Sequence, residues 1–278
     1  MDMETTTAME QPAISIAAAA GDVDALRREL TRGVAVDLEC PSGNTALQIV
    51  CGAHNADVSL EDRIACVKML LEHGAAPNAG LPNHPGHRTV EDVTEIFTPL
   101  MLAICRRRRP KKVVEILIAA GSDVNGYIPD SLAQMGHLSP LFLAVGKSFG
   151  CPPRHENPHG LDVVKLLLKA GADPNPPERW GRTVMEDAIR FGARRTWPVL
   201  LRAGAVLPTR VTPYQGREYR TNRADPYLLR VESAGGFQAH ETAHRKKILT
   251  SFTPKFTHLV PPELVARIVE YSFHLGFY

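Results

Sequence analysis

An all-α solenoid of stacked helix pairs is the fold class this sequence predicts, and three observations predict it. Short apolar segments resemble one another along the chain: NTALQIVC from Asn44, FTPLMLAIC from Phe97, LSPLFLAVG from Leu138 and RTVMEDAIR from Arg182. Each is followed, after a variable gap, by a second apolar segment that ends in glycine. These are CVKMLLEHGAAPN from Cys66, VVEILIAAGSDVN from Val113, VVKLLLKAGADPN from Val163 and WPVLLRAGAVLP from Trp197. An earlier pair, SIAAAAGDVDALRRELTRGVAVD from Ser15, keeps the same rhythm. Self-similarity of this kind marks repeats that bury a continuous core only by stacking.

Each position in the unit has a physical reason. Thr98-Pro99 and Ser139-Pro140 place a hydroxyl at a helix N-cap and a proline at the first helical position, where the missing N–H costs nothing. Ala103, Ala144 and Ala188 are small enough to let helices approach closely. Val113, Val114 and Leu117 fall on one face of the second helix at helical spacing. Gly33, Gly74, Gly121, Gly171 and Gly204 sit just past that helix, where a left-handed residue ends it.

These residues resemble the ankyrin repeat, a helix-turn-helix followed by a β-hairpin finger. The resemblance covers residues 13–208 with about five repeats, and Asn78, Asn125 and Asn175 fall where the fingers turn. It implies a non-catalytic module that binds another protein on the concave face made by finger tips and first helices. By position in the repeat, the expected contact residues are Asn44 and Gln48, His84, His87 and Arg88 in the long finger, Tyr127 in the next, and Trp180 with Arg182 before repeat five. Departures from the pattern exist. The histidine that usually follows Thr-Pro-Leu is missing. Repeat five has Glu186 and Asp187 where apolar residues belong and Pro198 in its second helix, as an end repeat with an exposed polar face would.

An uninterrupted repeat is about 33 residues, whereas the closing glycines here lie 41, 47, 50 and 33 residues apart. Three insertions fall between the two helices of a repeat: GAHNADVSLEDR, CRRRRPKK and GKSFGCPPRHENPHGLD. Stacking should bring them together along one edge, with the extra finger residues on the opposite edge. The second insertion carries Arg106, Arg107, Arg108, Arg109, Lys111 and Lys112. Its readings are a solvated turn partly neutralised by Asp57, Glu61 and Asp62, a nuclear-import signal, or a patch for an acidic partner. No aromatic side chains interleave with the charges, so nucleic acid is not an expected partner.

Other chemistry is sparse. Cys151, His155 and His159 are spaced C-x3-H-x3-H, but a structural zinc site takes four ligands, and His84 and His87 belong to the other edge. The segment reads as a surface loop, with no metal and no cofactor expected. The sequence carries no phosphate-cradling glycine motif, serine nucleophile elbow or kinase signature, so no enzyme is expected. A net charge of +2 disfavours bulk binding to DNA or an anionic membrane. The five cysteines, mostly in apolar runs, suit a reducing cytoplasmic compartment, or a nuclear one if the basic turn is an address. No segment is long enough to span a bilayer. A monomer is expected, with residues 1–12 disordered.

Residues 209–278 form a linker and a helical extension. The stretch DPYLLRVESAGGFQAHETAHRKKILTSF reads as helix, either split or kinked at Gly235-Gly236. The segment VPPELVARIVEYSFHLGFY starts a helix at Pro-Pro-Glu and aligns Leu264, Ile268, Val269 and Phe273 in an apolar stripe. The stripe either caps the open end of the stack or serves a partner. Val260-Pro261-Pro262-Glu263-Leu264 with Ile268-Val269 is similar to the opening helix of an F-box. That resemblance implies an alternative function, a substrate adapter docking a ubiquitin-ligase scaffold through Pro261, Glu263, Leu264 and Ile268.

Overall fold

The computed structural model describes residues 11–52, 58–80, 97–105, 111–126, 138–145, 158–176, 182–208, 225–256 and 258–275. Among them every regular element is helical, as expected of an all-α solenoid. Two of the expected β-hairpin fingers, at 81–96 and 127–137, lie outside the described residues. The chain divides into two compact units, residues 1–181 and 182–278.

Among its described residues the first unit holds four helix pairs: α1 (Ala13–Ala20) with α2 (Val23–Thr31), α3 (Ala46–Gly52) with α4 (Leu60–Glu72), α5 (Pro99–Cys105) with α6 (Lys111–Ala119), and α7 (Pro140–Val145) with α8 (Pro158–Lys169). First helices pack on first helices along one row, α1–α3–α5–α7, and second helices form the parallel row α2–α4–α6–α8. The core between the rows is apolar and fully enclosed: Ile14, Leu26, Leu47, Leu70, Leu100, Ile104, Leu117 and Phe142 are solvent-free. Ala103 and Ala144 are buried, as close helix approach requires.

Local chemistry sets the helix ends. Thr98 Oγ1 accepts from the Met101 N–H at 3.1 Å and Ser139 Oγ from the Phe142 N–H at 3.3 Å, with Pro99 and Pro140 as first helical residues. Asp22 caps α2 and Ser59 caps α4 in the same way. At the other end, Gly33, Gly74, Gly121 and Gly171 have φ between 82° and 91°, the left-handed conformation that terminates each second helix.

The glycines carry a ladder across the repeats. Asn78 Nδ2 donates to the Gly121 carbonyl at 3.2 Å, and its Oδ1 accepts from the Asp123 N–H at 2.7 Å. One repeat on, Asn125 does the same with Gly171 (3.0 Å) and the Asp173 N–H (2.7 Å). Asp37 holds this position in the first repeat. A carboxylate has no hydrogen to donate, and it makes only the accepting half, taking the Ala76 N–H at 3.1 Å.

The insertion edge is visible in two places. Val58, from the repeat-two insertion, lies over Gly21 in the α1–α2 turn so closely that a Cβ there would overlap Val58 Cγ1. On the same edge Lys111, at the start of α6, reaches Asp162 in α8 at 3.9 Å.

The second unit begins with α9 (Val184–Arg190), a 3-10 turn (Arg194–Thr196) and α10 (Trp197–Arg202), closed by Gly204 at φ 98°. It continues with α11 (Pro226–Ser233), α12 (Phe237–Phe256) and α13 (Pro262–Leu275). Gly235 and Gly236, at φ 83° and 118°, split α11 from α12 rather than kinking one helix. The extension is tied to the fifth helix pair: Arg194 ion-pairs with Asp225, the N-cap of α11, Trp197 stacks on Tyr227, and Arg202 bonds Glu241 at 2.6 Å.

One expectation is overturned here. Glu186 and Asp187 are not an exposed polar face; both are buried. Glu186 closes a capping box with Thr183, and Asp187 Oδ1 accepts from Arg182 Nε at 2.9 Å, which offsets part of the cost of burying them.

The ladder leads to one expectation about stability. Asn125→Ala removes two inter-repeat hydrogen bonds and is expected to lower unfolding stability by about 1–2 kcal/mol in urea melts. Asp37→Asn, gaining a donor toward Gly74, should leave it unchanged or higher. Gly21→Ala combines a left-handed φ of 65° with the clash on Val58 and should destabilise more than Gly33→Ala, where nothing lies near the added methyl.

Candidate interaction surfaces

The residues expected to face a partner separate into different fates. Asn44 is half-buried at the base of the first finger, where its carbonyl accepts from the Cys40 N–H at 3.0 Å and its Nδ2 donates to Ser42 Oγ at 3.1 Å. Gln48 is 2% exposed and is not a contact residue. Its Oε1 accepts from the Thr45 N–H at 2.8 Å and its Nε2 donates to the Phe97 carbonyl at 2.9 Å, so it caps its own helix and bridges to the next repeat. Arg182 is likewise withdrawn, 4% exposed, by its pairing with the buried Asp187. His84, His87, Arg88, Tyr127 and Trp180 lie outside the described residues.

Of the basic turn, Arg106, Arg107, Arg108 and Arg109 also lie outside them. Its lysines begin α6: Lys111 faces Asp162, and Lys112 bonds Glu115 at 3.2 Å one turn on. Both lysines are therefore answered by carboxylates of repeats three and four. Cys151 and His155 lie outside the described residues and His159 lies within α8. Among the described residues no group of three metal-ligating side chains assembles.

Two buried thiols, those of Cys51 and Cys66, are held neutral. Desolvation pushes Cys51 up to about 12, with Arg63 opposing weakly. Desolvation, then the charges of Asp62 and Asp22, pushes Cys66 up to about 11. Neutral, enclosed thiols pack as small hydrophobes.

In the extension the four residues singled out for docking, Pro261, Glu263, Leu264 and Ile268, are all exposed. Helix α13 packs on α12, and among its described side chains the buried ones are Val265 and Val269. The neighbouring stripe stays in solvent, with Leu264 43% and Ile268 58% exposed.

Residues 14–128 match the family model for ankyrin repeats in three copies, and residues 137–178 match that for a single ankyrin repeat. Together the matches cover more than half of the chain. This is an ankyrin-repeat protein. Over 125 residues it is 27% identical to an ankyrin repeat protein of Acanthamoeba polyphaga mimivirus, a match spanning 45% of this chain and 20% of that relative. Ankyrin repeats form protein–protein interaction domains and are generally not catalytic. Among the described residues, no helix of this ankyrin-repeat protein is long and apolar enough to cross a membrane.

Two features of the ankyrin protein's extension escape the sequence reading. Phe252, Phe256 and Leu259 are large, apolar and exposed, and the two phenylalanine rings stack at 5.8 Å. Their four-residue spacing is visible in the sequence, but spacing does not say which face is covered. The stretch His240-Glu241-Thr242-Ala243-His244 has the H-E-x-x-H spacing of a zinc helix. The imidazoles do share one face, 6.0 Å apart, yet Glu241 is engaged by Arg202 and His240 packs edge-on against Tyr227 at 5.5 Å. Burial, then His244 and Arg230, lowers the His240 pKa and keeps the ring neutral in that aromatic contact. The motif serves the junction of α10, α11 and α12.

Gln48→Ala would leave the buried Thr45 N–H and Phe97 carbonyl without their partner; a loss of about 1–3 kcal/mol in chemical denaturation is expected, with binding on the stack unchanged in native protein. Cys51 and Cys66 should resist iodoacetamide until the protein unfolds. Because an unfolded thiol releases its proton near pH 9 and the folded ones do so only at about 11 to 12, their contribution to stability is complete below pH 9. It should decline as pH rises from 9 toward 12, which thermal melts across that range would register.

Proposed function

We propose that the repeats serve as a rigid, non-catalytic platform on which a partner protein is held. The observation that carries this reading is the ladder of Asp37, Asn78 and Asn125, which fixes successive repeats in one register. A preorganised surface loses little entropy on binding. Asn44 and the finger residues His84, His87, Arg88, Tyr127 and Trp180 remain the proposed contacts, in a monomer working inside the cell. The pairing of Lys111 and Lys112 with carboxylates supports a salt-bridged turn as the main role of the basic run, with nuclear import its alternative.

A second reading is favoured by the exposure of Leu264 and Ile268. If α13 existed only to cap the stack, these side chains should be covered. Capping of the fifth pair instead falls to α11 and the start of α12, where Leu228, Val231 and Phe237 are buried. The outer stripe of α13 is thereby available for a ubiquitin-ligase scaffold, and the protein would act as a substrate adapter.

Affinity purification with quantitative mass spectrometry, from cells expressing the full chain, separates the two readings. His84→Ala/His87→Ala/Arg88→Ala is expected to deplete the partner of the stack, and unchanged recovery would refute those contacts. Leu264→Asp/Ile268→Asp is expected to deplete ligase subunits while sparing the stack's partner. Absence of ligase subunits from the unsubstituted chain would leave the platform reading alone.

A further inference from the structure

We infer that the end of α12 and the start of α13 together form a seat for a short amphipathic helix of another protein, one whose apolar face is bordered by carboxylates. This rests on the adapter reading only in taking the hairpin as a second protein-binding site.

Five large apolar side chains, Phe252, Phe256, Leu259, Leu264 and Ile268, are between 38% and 67% exposed within one helical hairpin. Scattered exposed hydrophobics are ordinary, but a concentration on two packed helices and their turn marks an interaction surface. The stripe of Val265 and Val269 is already buried, so the adjacent row of Leu264 and Ile268 is what a third helix would cover. Phe252 and Phe256, one turn apart with rings parallel, offer a flat aromatic wall of the kind that dominates binding energy.

Charge specifies the occupant further. Among the hairpin's described side chains, the exposed ions are Lys246, Lys247, Lys255 and Arg267 against a single acid, Glu263. Glu241 is not available to balance them, because it bonds Arg202. Such a field attracts a helix with acidic flanks and disfavours a basic one. An anionic membrane would answer the same charge. However, the apolar side chains occupy about one turn of each helix, roughly 6 Å along the axis. That suits a crossing helix better than the long continuous face of a helix lying in a bilayer surface.

The test uses the purified full chain and two synthetic helical peptides of about 16 residues, with leucines at i, i+3 or i+4 and i+7. One has glutamates at the remaining positions and the other lysines, and fluorescence anisotropy follows binding. The glutamate peptide should bind about ten-fold or more tightly than the lysine peptide, and Phe252→Asp and Ile268→Asp should each weaken it by about ten-fold. Lys255→Glu/Arg267→Glu should narrow or reverse the preference. All four side chains are exposed, so folding should be kept, and hydrogen exchange across the repeats would verify it. Equal affinity for the two peptides, or no saturable binding, would overturn the inference. So would capture of phosphatidylserine vesicles in place of the peptide, or a dimer in sedimentation that Ile268→Asp abolishes. Should ligase subunits co-purify while neither peptide binds, this inference fails and the adapter reading stands. Peptide binding without ligase subunits gives the reverse.

Discussion

The reach of one side chain, a carboxylate at Asp37 and an amide at Asn78 and Asn125, from one repeat to the backbone of the next is the constraint on which the rest of this protein depends. Asn78 and Asn125 each donate to a glycine carbonyl and accept from an N–H two residues beyond it. Those backbone groups point the right way only because the glycine is left-handed. A single conformational choice thus ends the second helix and opens the acceptor that the preceding repeat grips. Aliphatic burial supplies most of the stabilising free energy, but it is non-directional. The amide rungs supply the register that burial alone does not.

The same economy explains the polar residues found inside. Gln48 stands where its amide satisfies its own helix start and the chain entering the next repeat. Glu186 satisfies the N-terminus of α9, and Asp187 answers Arg182. Buried polar groups are costly only when left without partners. Here Gln48 and Arg182, expected at the surface, serve as joints inside the fold.

In the second unit the extension has two differently packed parts. Its proximal part, α11 with the beginning of α12, is fastened to the fifth helix pair by ion pairs and stacked rings around Trp197 and Tyr227. Its distal part turns back on itself, with α13 using one stripe against α12 and leaving the next in water. The two parts use different side chains, Leu228, Val231 and Phe237 in one and Val265 and Val269 in the other.

The repeat, its helix starts at Thr98-Pro99 and Ser139-Pro140 and its stops at the glycines were determined by the sequence itself. Each rests on chemistry between residues a few positions apart, which short stretches of sequence contain in full. Tertiary structure alone decided that Gln48 and Arg182 turn inward, that Glu186 and Asp187 are covered, and that Leu264 and Ile268 are not. It also decided which carboxylates answer Lys111, and that an H-E-x-x-H stretch would spend its glutamate on Arg202. Those outcomes depend on which faces other helices cover, even where the polar partner is close in sequence, as in Arg182–Asp187 and Thr183–Glu186. Helical periodicity places side chains on faces; only packing determines which face is buried.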